Sequence, residues 1–79
     1  MKRQAISNFI MSAIISNPGH RFFYDNSSGI GEMCVEAKKG DNLDFYHLPD
    51  LAYERPGEGF FYRDRFGTEH TLLRIRYSE

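Results

Sequence analysis

Tryptophan is missing from this chain, cysteine occurs once, and no apolar run is long. Each absence excludes something. With Cys34 alone, no internal disulfide can staple the core, and a reducing compartment, the cytoplasm, is the expected setting. No stretch approaches the ~20 apolar residues that a membrane span needs, and no membrane partner is expected. Lys2-Arg3 followed by the apolar run from Phe9 to Ile15 has the outline of a signal peptide. The run is short, however, broken by Ser12, and has no small-x-small cleavage pattern before Pro18-Gly19, so secretion is not expected. His20, His47 and His70 lie far apart with no paired ligand spacing, and neither a metal nor a cofactor is expected. Zinc-finger spacing, an RNP-type sheet signature and a helix-turn-helix are all lacking. Ser28-Gly29-Ile30-Gly31 leads into a strand and not a helix, so it reads as a hairpin loop, without the field of a phosphate cradle. Asp41, Asp44 and Asp50 are separated by turns and give no acid–base pair.

What is present is compact and aromatic. Seventy-nine residues make one domain, residues 1–79, that buries only about 60% of its unfolded surface. Five tyrosines and seven phenylalanines compensate, since each large ring buries roughly 150–250 Å². The net charge of −1 conceals an uneven layout. Residues 1–24 hold three basic groups and no acid, residues 25–54 hold seven acids against Lys38 and Lys39, and residues 55–79 hold five arginines against four acids. The molecule is not a polycation, so any electrostatic recognition must come from a local face.

Residues 3–16 carry Ile6, Phe9, Ile10, Ala13 and Ile14 at helical spacing, which predicts an amphipathic helix ended by Asn17-Pro18-Gly19. Met11 and Ile15 fall outside the stripe. Either the sheet curls round to cover them, the expected outcome, or they form an exposed strip for a partner or a homodimer. Arg21–Tyr24 and Glu32–Lys38 read as strands, the second alternating cleanly. Leu43–Leu48 is a weaker third strand, residues 49–53 suit one helical turn with Pro49 at its first position, and residues 55–59 read as a loop. The order predicts an α+β fold, an N-terminal helix packed on one face of a mainly antiparallel sheet of four to five strands, ending in a long hairpin.

That hairpin, Phe60 to Tyr77, is predicted to turn at Gly67-Thr68 in a type II′ geometry. The register then pairs Tyr62 with Leu73, Phe60 with Ile75, Arg63 with Leu72 and Phe61 with Arg74. One face carries Phe60, Tyr62, Leu73, Ile75 and Tyr77. The other carries Phe61, Arg63, Arg65, His70, Leu72, Arg74 and Arg76, four arginines and no acid. Such a face has three readings: self-paired with Glu32 and Glu36, a dock for an acidic protein, or a nucleic-acid surface. Cys34, flanked by Glu32 and Glu36, reads as structural, because neighbouring carboxylates disfavour a thiolate.

With no catalytic set in view, the sequence points to a non-catalytic binding protein acting by protein–protein contact. Its profile is shared by small inhibitors that phages and other mobile elements use, including those that block host defence complexes. One alternative is a nucleic-acid module using Phe61, Arg63, Arg65, Arg74 and Arg76. Another is a small ribonuclease-like enzyme with His70 as base and its expected cross-strand neighbour Arg65 stabilising the phosphorane.

Overall fold

A computed structural model describes residues 1–78. The predicted helix forms as α1, Arg3–Ser16, and buries Phe9 and Ala13. Its end is fastened by more than Pro18. The buried side chain of Asn17 donates through Nδ2 to the carbonyls of Ala13 and Asp44, both at 2.8 Å, and accepts the Asp44 N–H on Oδ1 at 2.8 Å. One amide thus satisfies an orphan helix carbonyl and clamps a distant segment to it.

Five strands follow: β1 (Phe22–Asp25), β2 (Glu32–Lys38), β3 (Ala52–Arg55), β4 (Gly59–Arg63) and β5 (Glu69–Ser78). They form one sheet in the order β1-β2-β5-β4-β3. Three neighbouring pairs are antiparallel, and the α+β architecture is as expected. The fourth pair, β2 with β5, is parallel.

The third strand is not where periodicity put it. Residues 43–48 form no ladder; a turn closes at Pro49, whose carbonyl accepts the Ala52 N–H at 2.9 Å, and β3 occupies Ala52–Arg55, overlapping the predicted helical turn only at Ala52 and Tyr53. Topology supplies the reason. Strands β2 and β3 run in the same direction, so the chain must cross a face of the sheet to begin β3, and parallel strands need a connection of about a dozen residues. Residues 39–51 are that crossover, lying on the helix side. Leu43 and Phe45 pack into the core, while Asp44 and Tyr46 meet α1 through their backbone. The period of two is real, but it records packing and not pairing. His47 then ends the extension in the left-handed region, at φ 61°.

The core lies between α1, the crossover and the sheet. Phe9, Phe45 and Phe60 form an aromatic triangle, with centroids 6.0, 5.2 and 4.6 Å apart and edge-on contacts at Phe60. Val35, Ala37, Leu73 and Ile75 floor it.

The hairpin of β4 and β5 forms, but with another turn and register. Gly67 donates to the Asp64 carbonyl at 3.0 Å, and Asp64 donates to the Thr68 carbonyl at 3.0 Å. The loop is therefore Arg65-Phe66-Gly67, a type I turn closed by Gly67 at φ 83°, and not a two-residue type II′ turn at Gly67-Thr68. Near the loop Tyr62 faces His70, three residues from the predicted Leu73. Between Phe60 and Phe61 a bulge absorbs Leu72, and Phe60 then faces Leu73, two residues from the predicted Ile75. Side chains alternate, so a shift of two preserves faces and a shift of three reverses them. Phe60, Leu73, Ile75 and Tyr62 consequently face the helix as expected, whereas His70 and Leu72 leave the arginine face and join the helix side.

Candidate interaction surface

The sheet face opposite α1 carries the charged side chains, and most of them close on one another. Arg21 grips Glu36 with two bonds of 2.9 and 3.0 Å. Arg74 meets Glu32 at 2.9 Å, while Arg76 meets Asp25 at 2.5 Å and Glu32 at 3.4 Å. At the other edge Arg55 bonds Glu69 at 2.5 Å and Glu58 at 2.7 Å, and Tyr53 donates its hydroxyl to Glu69. Glu69 is the acid that the predicted face lacked. Phe61 lies beneath this lattice, 1% exposed, with the guanidiniums of Arg55 and Arg74 at 4.2 and 5.5 Å from its ring centre. Each exposed pair contributes little stability alone. Together they remove Arg74 and Arg76 from the supply of free cations.

Cys34 is fully buried in the same face, and Asp25, Glu32 and Cys34 bring donor atoms within 4.8 Å of one another. Arg76 already provides the positive charge at that point, its guanidinium bound to both carboxylates.

The hairpin tip is different. Asp64 Oδ1 accepts the N–H of Phe66 at 2.8 Å and of Thr68 at 3.0 Å, and its Oδ2 meets His70 Nε2 at 2.9 Å. Arg63 adds a 3.3 Å bond to the Gly67 carbonyl. His70 in turn stacks on Tyr62, with centroids 5.3 Å apart. This cross-bracing holds Phe66 out in solvent, 79% exposed, with the Arg65 guanidinium 5.1 Å from its ring centre. Arg63 leans over Tyr53 at 5.9 Å. Among the described residues, neither Arg63 nor Arg65 has an ion-pair partner. Exposed Leu51, one residue ahead of β3, is carried by the register to the level of Arg63.

The seven residues assigned to one face thus divide three ways. Arg74 is locked mid-sheet over Phe61, and Arg76 is locked beside it on Asp25 and Glu32. Arg63 and Arg65 stand at the tip. His70 braces the tip from the helix side, and Leu72 is core. His70 and Arg65 are not cross-strand partners, because Tyr62 faces His70. Phe66 and Asp64 were missed, although Asp64-Arg65-Phe66-Gly67 has Asp first and Gly fourth, the preferred signature of a type I turn. Met11 and Ile15 remain uncovered, 57% and 72% exposed, because the sheet does not curl round the helix.

No family model, curated protein or solved structure matches the chain. No helix among the described residues is long and apolar enough to cross a membrane. Fold and surface together define a small α+β protein whose sheet face is neutralised internally and whose hairpin tip is not.

Acid should loosen this lattice. Asp64 is held below its ordinary range chiefly by His70, then by the Thr68 and Phe66 N–H groups. Glu69 is lowered chiefly by the Tyr53 hydroxyl, Glu36 by Arg21, Glu58 by Arg55 and Asp25 by Ser27. A carboxylate depressed in the folded state stabilises fully above its unfolded pKa and loses that contribution as pH falls through the folded value. The urea midpoint is therefore expected to be flat from about pH 7 to 5 and to fall steadily below about pH 4. A midpoint at pH 3 equal to that at pH 7 would contradict the lattice.

Proposed function

We propose that this is a non-catalytic binding protein that acts by protein–protein contact, with the β4–β5 hairpin tip as its point of engagement. The reading rests on one observation: a phenylalanine kept in solvent by a loop whose every turn is hydrogen-bonded. A preorganised aromatic loses little freedom on binding and suits the centre of an interface, where such anchors contribute about 2–4 kcal/mol. Arg63 and Arg65 beside it fit an apolar pocket rimmed by carboxylates on a larger protein. Inhibitors encoded by phages and other mobile elements are of this size and style, and a host defence complex is the target class we propose.

The test is affinity capture from host lysate at low and high salt, using wild type, Phe66→Ala and Arg63→Glu/Arg65→Glu. One saturable protein partner is expected with wild type. Phe66→Ala should weaken its retention by about 30-fold or more, with circular dichroism unchanged. Equal capture by Phe66→Ala rejects the reading. So does retention of nucleic acid in place of a protein, an outcome that locked Arg74 and Arg76 make unfavourable, since phosphate contacts scale with free cations.

A further inference from the structure

From Gln4 to His20 the chain has no Asp, Glu, Lys or Arg, so beyond its first residue, Arg3, the outer face of α1 is uncharged although the rest of the surface is densely charged. Three side chains dominate that face: Met11, Ile14 and Ile15, which are 57%, 40% and 72% exposed. At i, i+3 and i+4 they are neighbours on the helix surface. Met11 is flanked by two hollows. One, of about 390 Å³, is lined by Ile6, Ser7, Ile10, Met11, Met33 and Leu72 among others. The second, of about 370 Å³, is lined by Ala5, Asn8, Met11 and His47.

We infer that this face pairs with a second copy of itself, α1 against α1 antiparallel, about a two-fold axis at Met11. The spacing supplies the argument. Antiparallel pairing through Met11 sets residue 15 of one copy level with residue 7 of the other and residue 14 level with residue 8, and the helical turn puts residue 14 on the side of residue 7 and residue 15 on the side of residue 8. Each lies about one turn, roughly 4.5–6 Å, from the axis. Ser7 lines the first hollow and Asn8 the second. Ile15 and Ile14 are therefore the knobs, and the hollows beside Met11 are the matching holes, all carried by one surface. An isologous interface needs that self-complementarity, and no like charges oppose it. A partner of different sequence would have to supply the same two knobs at the same spacing. Three exposed apolar side chains make a small patch against the roughly 800 Å² per partner of a standard interface, so the dimer is expected to be weak, with Kd on the order of 10–100 µM.

Sedimentation equilibrium of the purified chain from about 5 µM to 1 mM tests this directly. A monomer–dimer equilibrium is expected for wild type, and Met11→Asp/Ile15→Asp should shift its midpoint upward by about 100-fold or more. Cysteine variants read the register without disturbing the fold, since Cys34 is fully buried. Under oxidation Met11→Cys should give a covalent dimer and so should Ser7→Cys/Ile15→Cys. Ile15→Cys alone should not, because its two copies lie about 12 Å apart along the axis. A monomer at every concentration overturns the inference. Efficient cross-linking of Ile15→Cys alone does the same, as does stable occupation of this face by a different protein or by neutral phosphatidylcholine vesicles.

Discussion

Phe9→Ala is expected to remove about half of the stability of the fold. Phe9 is the fully buried apex of the aromatic triangle, the side chain through which α1 meets both the crossover at Phe45 and the sheet at Phe60. Truncating a buried phenylalanine costs about 3–5 kcal/mol, the transfer free energy together with the unfilled cavity. A chain of this length has about 5–10 kcal/mol in total. Urea unfolding followed by circular dichroism should show a midpoint reduced by about half. Met11→Ala, two residues away on the exposed face, should change stability by no more than about 0.5 kcal/mol. Equal midpoints for the two variants would mean that the triangle does not hold the helix to the sheet.

Gly59→Ala should be comparably damaging, for a backbone reason. Gly59 sits at φ 133° where β4 starts against β5, and a β-carbon there would lie 2.2 Å from the Leu73 carbonyl oxygen and 3.0 Å from the Arg74 α-carbon. Both obstacles are main chain, so no side-chain rotation relieves them. The strands must separate beside Glu58, whose carbonyl accepts the Ile75 N–H at 2.9 Å. A loss of about 3–5 kcal/mol is expected, at the upper end of single substitutions. Gly67→Ala provides the contrast. Nothing lies within 4 Å of its missing β-carbon, so only the left-handed conformation is penalised, by about 1–2 kcal/mol. A Gly59→Ala midpoint equal to that of Gly67→Ala would show that β4 and β5 do not approach as closely as described. Amide exchange should locate the damage at Phe60, Leu73 and Ile75.

If both interaction surfaces operate, each dimer carries two hairpin tips. A target with two equivalent pockets would then be held with higher avidity than one tip provides, without new contacts. Met11→Asp/Ile15→Asp should lower that avidity while leaving single-tip affinity intact, which separates the helix surface from the tip experimentally.

Residue periodicity alone determined the bounds of α1, its stop at Asn17-Pro18-Gly19, strand β2, and the inward placement of Phe60, Tyr62, Leu73 and Ile75. All of these depend on contacts between near neighbours or on a two-residue alternation that survives an even shift of register. What only tertiary structure decided was pairing: β2 beside β5, the use of residues 43–48 within the crossover, the bulge at Leu72, and the choice of carboxylate for each paired arginine. A strand that will pair and an extended segment that will cross a core show the same apolar alternation, because both present every second side chain to a hydrophobic layer. A bulge adds one residue to one strand, and no local pattern marks which residue it is. Charge composition could pose the question of whether the guanidiniums are free, but distances of a few ångströms between strands remote in sequence answer it, and they leave the tip arginines as the two cations of the hairpin without a carboxylate partner among the described residues.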